Sequence, residues 1–515
     1  MEPALALSNL RLHYKGADAP ALEDVSFSLE AGETLVISGP AASGKTSLCL
    51  ALKGLIPQAR EARVAGEIRI QGRDISKFRV QTLSTVAGLV LQDPEVQIVG
   101  RTVAEDVAFG PRNLLIPAQK IHDRIPRVLD QVGLAGYEDR ISAELSGGEK
   151  QRLALAGVLA MAPKLLILDE PASELDPAGR NSLYDLLERL KKEQGITLVI
   201  VDQRLETLDR LGDLHLHLDQ GRVGYLGPPK KDIGQSPREI AGFSPSYIHP
   251  SPAHPWEGYD GVDSMAESPE NTAVSVRGLN FGYHPDQPLI KDLNFDLPLG
   301  GFTALMGHNG AGKTTLIKQL NGLLSPQSGK ITILGRPIGE YAPGELTRTV
   351  GFVFQNPDHQ IFETSVEREI AAGLSHLSTE ERRERIQETL AFTGLQDLGD
   401  RHPFTLAKGD RQRIAVASII ALDPKILVVD EPTTGLDARG AEQVMGLIHK
   451  CHGRGTAILL ISHDFNLVTR HAQRLAVMHR GQWVMDEPMD RALAGALEED
   501  ILTRTGILPM QGERP

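Results

Sequence analysis

Each half of this sequence carries the same three motifs in the same order. They are a glycine-rich loop of the form GxxxxGKT, a run that matches or resembles LSGGE, and an apolar run that ends in Asp-Glu. The first half has them at 39–46, 145–149 and 165–170, and the second half at 307–314, 406–410 and 426–431. Such self-similarity indicates that the chain folds as two copies of one domain.

The GxxxxGKT loop is a phosphate-binding motif. Its glycines let the backbone turn its N–H groups towards phosphates at the start of a helix. Lys45 and Lys313 are expected to contact the β- and γ-phosphates, and Thr46 and Thr314 to offer a hydroxyl to Mg²⁺. The residues predicted to bind nucleotide here are Gly39, Pro40, Ala41, Ala42, Ser43, Gly44, Lys45, Thr46 and Ser47, and Gly307, His308, Asn309, Gly310, Ala311, Gly312, Lys313, Thr314 and Thr315. The sequence therefore predicts that the chain binds and hydrolyses ATP.

Composition narrows the class of protein. A length of 515 residues is ample for more than one core, and the repeat argues for two domains. The formal charge of −13 disfavours a protein that coats nucleic acid, because phosphate binding needs a basic face. Cys49 and Cys451 are the only cysteines and lie in apolar helical contexts, so we expect no disulfide framework and a reducing compartment. The sequence has no basic leader and no run approaching 18 apolar residues, so we expect no membrane-crossing segment.

The repeat also sets the predicted domain boundaries. Lys45 and Lys313 are 268 residues apart, and the separation shrinks slowly along the copies, as small loop differences would produce. Proline is dense between the copies, where it would favour an extended linker over a helix. The predicted boundaries are 4–231 for the first domain, 232–271 for the Pro/Ser-rich linker, 272–505 for the second domain and 506–515 for a frayed tail.

Short apolar runs alternate with helix-forming stretches in each half, which predicts a mostly parallel sheet covered by helices. Two polar, periodic segments, 121–132 and 379–392, precede the LSGGE-like runs in their halves. We expect them to form helices of an inserted subdomain, with their charges mainly on a solvated face.

Together these residues resemble the nucleotide-binding subunits of ABC transporters, and the run from Leu145 matches that family's signature motif. The resemblance implies an α/β fold with two P-loop ABC-type domains, each having a mostly parallel sheet core, an antiparallel β layer and a helical subdomain. It also implies that Tyr14 and Tyr283 stack on adenine, with packing in the β layer as the alternative. Gln92 and Gln355 match the glutamine that senses Mg²⁺ and the γ-phosphate.

The family packs two such domains head to tail, so that each ATP lies between one domain's GKT loop and the other domain's signature. Two departures from the pattern are then informative. Gln203 replaces the switch histidine that the second copy retains as His463, and Ala407-Lys408 replaces the Ser-Gly of the first signature. If the halves pair within one chain, one predicted site combines Lys45, Asp169, Glu170 and Gln203 with Ala407, Lys408 and Gly409, and the other combines Lys313, Asp430, Glu431 and His463 with Ser146, Gly147 and Gly148. The first site is degenerate and the second is complete.

In the complete site, Glu431 is predicted to activate water, His463 to hold the γ-phosphate and Gln355 to complete the geometry. Glu170 is the matching base of the degenerate site, where Gln203 cannot carry the charge of an imidazolium. The alternative is that Lys408 supplies a replacement cation and this site stays active. The predicted metal ligands are Thr46, Gln92 and Asp169, and Thr314, Gln355 and Asp430.

After each sensing glutamine comes a Pro-acidic-x-Gln-aliphatic run, which ends in Gln97-Ile98 and Gln360-Ile361. These runs resemble the segment that energy-coupling factor (ECF) transporter ATPases present to a membrane scaffold, although an ordinary surface helix cap is the alternative. The resemblance implies an integral membrane scaffold subunit and a substrate-binding membrane component as partners, no nucleic acid, and a peripheral location at the cytoplasmic face of the cell membrane.

That group serves uptake of vitamins, their precursors, or cobalt and nickel ions, and the substrate cannot be read from this chain. A generic ABC importer ATPase is one alternative function. A soluble tandem ABC translation factor is another, but such factors carry a long, charged, helical linker rather than one rich in proline and serine.

Overall fold

The computed structural model describes residues 2–17, 19–59, 61–173, 175–202, 205–230, 271–283 and 288–495. The chain divides into two compact units, Met1–His249 and Pro250–Pro515. The predicted tail, Gln203, and all but the last residue of the predicted linker lie outside the described residues.

The first unit, called domain 1 below, contains two sheets with helices around them. Its strands are β1 (Leu5–Tyr14), β2 (Leu22–Leu29), β3 (Thr34–Ser38), β4 (Ala62–Ile70), β5 (Arg73–Asp74), β6 (Ala87–Val90), β7 (Leu165–Asp169), β8 (Thr197–Val201), β9 (Leu214–Asp219) and β10 (Arg222–Gly227). Its helices are α1 (Lys45–Leu52), α2 (Leu55–Gln58), α3 (Val80–Leu83), α4 (Val103–Asn113), α5 (Ala118–Gln131), α6 (Gly147–Leu159), α7 (Pro177–Gln194) and α8 (Leu205–Leu211).

The second unit, domain 2, repeats these elements. Its strands are β11 (Thr272–Phe281), β12 (Ile290–Pro298), β13 (Phe302–Met306), β14 (Ser328–Ile333), β15 (Arg336–Pro337), β16 (Val350–Val353), β17 (Ile426–Asp430), β18 (Ala457–Ile461), β19 (Arg474–His479) and β20 (Gln482–Pro488). Its helices are α9 (Lys313–Leu320), α10 (Pro343–Thr349), α11 (Val366–Ala371), α12 (Thr379–Thr393), α13 (Lys408–Ile420), α14 (Ala438–His452), α15 (Phe465–His471) and α16 (Met489–Gly495).

The two domains have the same sheet topology. The larger sheet has the order β10-β9-β3-β8-β7-β6 in domain 1 and β20-β19-β13-β18-β17-β16 in domain 2, with only the β10 and β20 edges antiparallel. The smaller sheet is antiparallel, with the orders β2-β1-β4-β5 and β12-β11-β14-β15. The predicted fold class is therefore confirmed. Helices α5 and α12 also confirm the two polar helices expected before the signature motifs.

The core lies on both faces of each parallel sheet. Strand β7 shows how, because Ile167 packs into one apolar cluster while its neighbours Leu166 and Leu168 pack into another. A strand buried on both faces needs a continuous apolar run, which explains why β7 carries no polar residue before Asp169. Since parallel strands all end at one edge, the residues that follow β3, β6 and β7 meet there. In domain 2, the residues that follow β13, β16 and β17 meet at the same edge of the sheet.

No helix among the described residues combines the length and the apolar character needed to cross a bilayer.

Candidate functional site

The two GKT loops have nearly identical backbones. Each follows the central strand β3 or β13 and ends where α1 or α9 begins. Gly39 has a φ of 144°, and a Cβ there would lie 2.1 Å from the carbonyl oxygen of Leu218. Gly307 has a φ of 148°, and its Cβ would lie 2.2 Å from the carbonyl oxygen of Met478. Only glycine fits either position, so bare backbone lines both loops.

A lysine ammonium lies inside each loop. Lys45 Nζ donates to the carbonyl oxygens of Gly39 at 2.7 Å and Pro40 at 2.8 Å. Lys313 Nζ makes the same two bonds with the first two residues of its loop, at 2.5 and 3.0 Å. Lys45 is only 7% exposed. A buried cation beside a helix N-terminus favours an anion, so both loops fit a polyphosphate.

The outer rims of the loops are accessible to a ligand. The exposed loop residues are Pro40, Ala41, Ala42 and Thr46 in domain 1, and Asn309, Gly310 and Thr314 in domain 2. The remaining predicted loop residues are buried or half-buried and shape the loops from behind.

The two tyrosines predicted to stack on adenine each touch the first turn of the helix that follows the loop. Tyr14 Oη lies 3.0 Å from Ser47 Oγ, and Tyr283 Oη lies 3.2 Å from Thr315 Oγ1. Tyr14 is half-buried and packs against the domain core, whereas Tyr283 is 56% exposed. The two rings therefore differ in how much of their surface a base could cover.

A carboxylate at the end of β7 or β17 lies behind each loop. Burial raises the pKa of Asp169, while a hydrogen bond from Thr46 and the charge of Lys45 act in the opposite direction. Burial and the neighbouring Glu431 carboxylate raise the pKa of Asp430 to about 7. A threonine hydroxyl beside a buried carboxylate is an oxygen donor set that suits Mg²⁺, which would also favour the ionised form.

The predicted bases have different partners in the two domains. Glu431 is 9% exposed, and its Oε1 lies 2.9 Å from His463 Nδ1. Thr434 Oγ1 donates to its Oε2 at 3.4 Å. In domain 1, the Oε2 of Glu170 accepts from Gln92 Nε2 at 2.9 Å, and the position that matches His463 lies outside the described residues. The structure thus brings the predicted catalytic pair of domain 2 together.

Both glutamates also have a strained backbone that the sequence could not show. Glu170 has a φ of 46° and Glu431 a φ of 45°, a region where non-glycine residues are uncommon. Their N–H groups donate to the carbonyl oxygens of Val201 and Ile461, which end the neighbouring strands β8 and β18. These bonds fix the turn after each strand and so aim each carboxylate.

The two signature motifs begin their helices differently. Ser146 forms a capping box on α6, because its hydroxyl accepts from Glu149 N at 3.4 Å and its own N–H donates to Glu149 Oε2 at 2.8 Å. Ala407 stands at the same position of α13 and offers no side-chain cap. Asp410, the counterpart of Glu149, binds Arg413 at 2.7 Å instead. The departure from the signature therefore changes the start of the helix itself.

The predicted partner-contacting residues after the sensing glutamines were placed wrongly. The side-chain amide of Gln97 bonds back to β6 at 3.1 and 2.9 Å, and that of Gln360 donates into α13 at 2.7 Å. Ile361 is only 4% exposed, and Ile98 packs against the core. These four side chains hold the loop within its own domain.

An exposed apolar side chain lies one residue further on in both copies, and Val96 of the first copy is exposed as well. Val99 is 58% exposed and Phe362 is 72% exposed. The sequence contained a signal for them, because this position is apolar in both copies, but the alternation of inward and outward side chains depends on how the loop packs.

Comparison with known proteins decides the family. The family model described as ABC transporter matches residues 22–173 and 290–434. This chain belongs to the ABC transporter family. A putative ABC transporter ATP-binding protein of Methanosarcina acetivorans is 37% identical over 98% of this chain and 89% of its own length. The chain is accordingly an ABC transporter ATPase, with ATP as its nucleotide.

A second relative has a more specific name. The putative HMP/thiamine import ATP-binding protein YkoD of Bacillus subtilis is 34% identical over 92% of this chain and 90% of its own length. Among solved structures, cbiO1 from Clostridium perfringens, described as part of the ABC transporter complex cbiONQ, is 32% identical with a TM-score of 0.42. The match covers 46% of this chain and 98% of the cbiO1 chain.

Proposed function

We propose that this chain is the ATP-hydrolysing, energising subunit of an ECF-type membrane importer. One observation carries the proposal: in both domains, the loop that starts at the sensing glutamine ends in an exposed apolar side chain, Val99 or Phe362. Gln92 at the start of this loop touches Glu170, so the same loop joins the nucleotide site to the surface. The relative named for HMP/thiamine import supports the direction of transport.

The partners we propose are an integral membrane scaffold and a substrate-binding membrane component, with this chain peripheral at the cytoplasmic face of the cell membrane. We propose that the exposed apolar side chains of Val99 and Phe362, which recur at one loop position in both domains, form part of the contact with these partners. A net charge of −13 argues against nucleic acid as the partner.

We further propose that the two domains pair head to tail within one chain and form two unequal ATP sites. The complete site would combine Lys313, Glu431 and His463 with the capped signature helix of domain 1. The degenerate site would combine Lys45 and Glu170 with the uncapped helix that begins at Lys408. The two departures from the family pattern, Gln203 and Ala407-Lys408, then fall in one site, which supports an asymmetric ATPase.

In the complete site, the Glu431 carboxylate is placed to accept a proton from the attacking water, and His463 orients that carboxylate by the 2.9 Å contact. Lys313 and the backbone of its loop bind and position the phosphates. Mg²⁺, held by Thr314, Asp430 and Gln355, would neutralise charge on the phosphates.

The partner surface can be tested by changing Val99 and Phe362 to glutamate. We expect the tagged double variant to lose the membrane protein that co-purifies with the wild-type chain, because a charge would face an apolar contact. The ATPase rate of the isolated chain should stay within about twofold, since a surface substitution away from the site costs little. Leu323→Glu, at a residue that is 67% exposed elsewhere in domain 2, is the matched control.

Unchanged recovery of the membrane protein with the double variant would contradict the proposed surface. Loss of recovery with Leu323→Glu as well would show that any added charge has this effect, and would contradict it equally.

Pairing within one chain can be tested with cysteines at Ala41 and Lys408. Ala41 is exposed on the loop rim, whereas Ser43 in the same loop is only 2% exposed. Added ATP should give a crosslink that leaves the chain monomeric on a denaturing gel. Crosslinks found only between two chains would mean that two copies assemble instead.

A further inference from the structure

A buried carboxylate grips the end of the glutamine loop in each domain. Asp106 Oδ1 accepts from the N–H groups of Val99 and Gly100, both at 2.8 Å, and Asp106 is 6% exposed. In domain 2, Glu369 Oε2 accepts from the N–H groups of Phe362 at 3.0 Å and of the next residue at 2.9 Å, and Glu369 is 2% exposed. Each carboxylate therefore holds the backbone of the exposed apolar residue.

Capping their own helices does not account for these carboxylates. Helix α4 is already capped by the reciprocal bonds of Thr102 and Glu105, and α11 by Ser365, which accepts from Arg368 N at 3.3 Å. Burying a charged group is costly unless it gains strong hydrogen bonds. The bonds that Asp106 and Glu369 gain run to the loop, so fixing the loop is their role.

In domain 1, this carboxylate also lies against the signature helix. A Cβ on Gly157 of α6 would come within 3.7 Å of Asp106 Oδ2, and a Cβ on Gly100 of the loop would come within 2.2 Å of Asp106 N. A second link joins the loop to this helix, because Glu95 Oε1 lies 2.5 Å from Lys150 Nζ. In domain 2, Arg411 makes the corresponding pair with Asp358 at 2.6 Å. In domain 1 the loop, the carboxylate and the signature helix thus form one connected unit, and in domain 2 the carboxylate holds the loop while an ion pair joins the loop to the signature helix.

We propose that Asp106 and Glu369 are positioning residues that hold Val99 and Phe362 in place for the membrane partner and carry displacement of those residues to the signature helix. The partner half of this inference rests on the proposed function. The positioning half is a property of the isolated chain and can be measured without any partner.

The test uses a nitroxide spin label at Val99→Cys, with a second protein labelled at Phe362→Cys. The native cysteines will not compete, because Cys49 and Cys451 are 1% and 6% exposed. Asp106→Leu keeps the branched shape but removes both acceptor oxygens, and Asp106→Asn keeps one. We expect Asp106→Leu to increase label mobility at 99 and leave mobility at 362 unchanged, with Asp106→Asn intermediate. Glu369→Met should give the mirror result.

A folded Asp106→Leu protein whose label at 99 is as immobile as in the wild type would overturn the proposal. So would equal mobility increases at 99 and 362, since these would reflect general loosening. If Asp106→Leu does not fold, Asp106→Asn decides, and no mobility increase confined to 99 would overturn the proposal.

Transport in the assembled complex provides the second readout. Asp106→Leu or Glu369→Met, which removes the acceptor oxygens, should lower the number of substrate molecules transported per ATP hydrolysed about fivefold, the factor that corresponds to about 1 kcal/mol. Turnover of ATP by the isolated chain should change far less. If label mobility rises as expected but the Val99 and Phe362 glutamate variants still bind the membrane protein, the proposed function fails while the positioning role stands.

Discussion

The two signature helices show how a small local change alters a helix start. Helix α6 begins with a serine that caps it and a glutamate that returns the bond, whereas α13 begins with alanine and lysine. In domain 2, the freed Asp410 turns to Arg413 on the same helix. The helix survives because its buried face holds it, so the cap was dispensable for folding. We propose that the capped end is the one retained for nucleotide.

The catalytic glutamate of domain 2 contacts His463, which can carry a positive charge. The sequence has Gln203 at the matching position of domain 1, outside the described residues. If the two domains pair as proposed, the capped signature helix and the histidine belong to one site. The following predictions are ordered from the largest expected effect to the smallest, and each tests whether the two domains are functionally unequal.

Removing the base of domain 2 should have the largest effect. Glu431→Gln keeps the size and the bond to His463 but cannot accept a proton, so we expect ATP turnover to fall at least ~10²-fold. Glu170→Gln, the matched change in domain 1, should cost far less. Steady-state ATPase assays with saturating Mg²⁺ and ATP measure both. Equal losses from the two variants would end the idea of unequal sites.

Much of this arrangement could be predicted from the sequence because the chemistry is local. A GKT loop needs its glycines, and an Asp-Glu pair that ends a buried strand must lie at the carboxyl edge of the sheet. Lys313 and Asp430 could therefore be placed with no structure. Glu431 and His463 were assigned to one site from the sequence, but their direct contact depends on β17 and β18 being neighbours, which the structure shows.

The loop after the glutamine could not be predicted in the same way. Whether Ile361 or Phe362 faces outward depends on packing against α13, which no short pattern records. The hydrogen bond from Val99 to Asp106 joins a helix to a loop seven residues earlier, and no sequence pattern records that contact. Gln203, the other departure noted in the sequence, lies outside the described residues. Its role stays a prediction.

Exchanging the caps should have an intermediate effect. Ser146→Ala removes a capping hydroxyl, so domain 1 should lose about 1 kcal/mol of unfolding free energy, and ATP turnover should fall severalfold. Ala407→Ser restores a cap on α13 and should stabilise domain 2 by a similar or smaller amount. Urea unfolding and ATPase assays on the same samples separate the two effects. A fall in stability without a fall in turnover for Ser146→Ala would show that this serine is structural only.

A further contrast concerns the helices that follow the catalytic loops. In domain 1, Arg210 of α8 binds Asp185 and Glu188 of α7 at 2.6 and 3.1 Å. In domain 2, the corresponding helices are joined by His449 and His471, whose Nε2 and Nδ1 are 2.6 Å apart. In both domains, these contacts join the helix that follows the catalytic glutamate to the helix that follows the switch position, Gln203 or His463. The domain 2 contact is between two histidines, and burial lowers the pKa of both rings.

Acid should therefore loosen the tie in domain 2 by a small, measurable amount. Burial lowers the pKa of His471 to about 4, with the charges of His449 and Arg470 acting in the same direction and that of Asp464 opposing them. The unfolded chain binds this proton near pH 6.5, so the stabilisation is present above that pH and is lost as the pH falls from about 6.5 towards 4.

His449→Glu with His471→Leu would place a glutamate opposite Arg470, as in domain 1. Between pH 7 and 6, this double variant should lose about 0.5 kcal/mol less unfolding free energy than the wild type, as measured by urea titrations at each pH. An identical pH slope for the two proteins would show that the histidine pair is not the acid-sensitive element. If His471→Leu alone reduces the pH dependence as much as the double variant does, the effect belongs to His471. The ion pair between the introduced glutamate and Arg470 would then have no role, as the small contribution of exposed ion pairs allows.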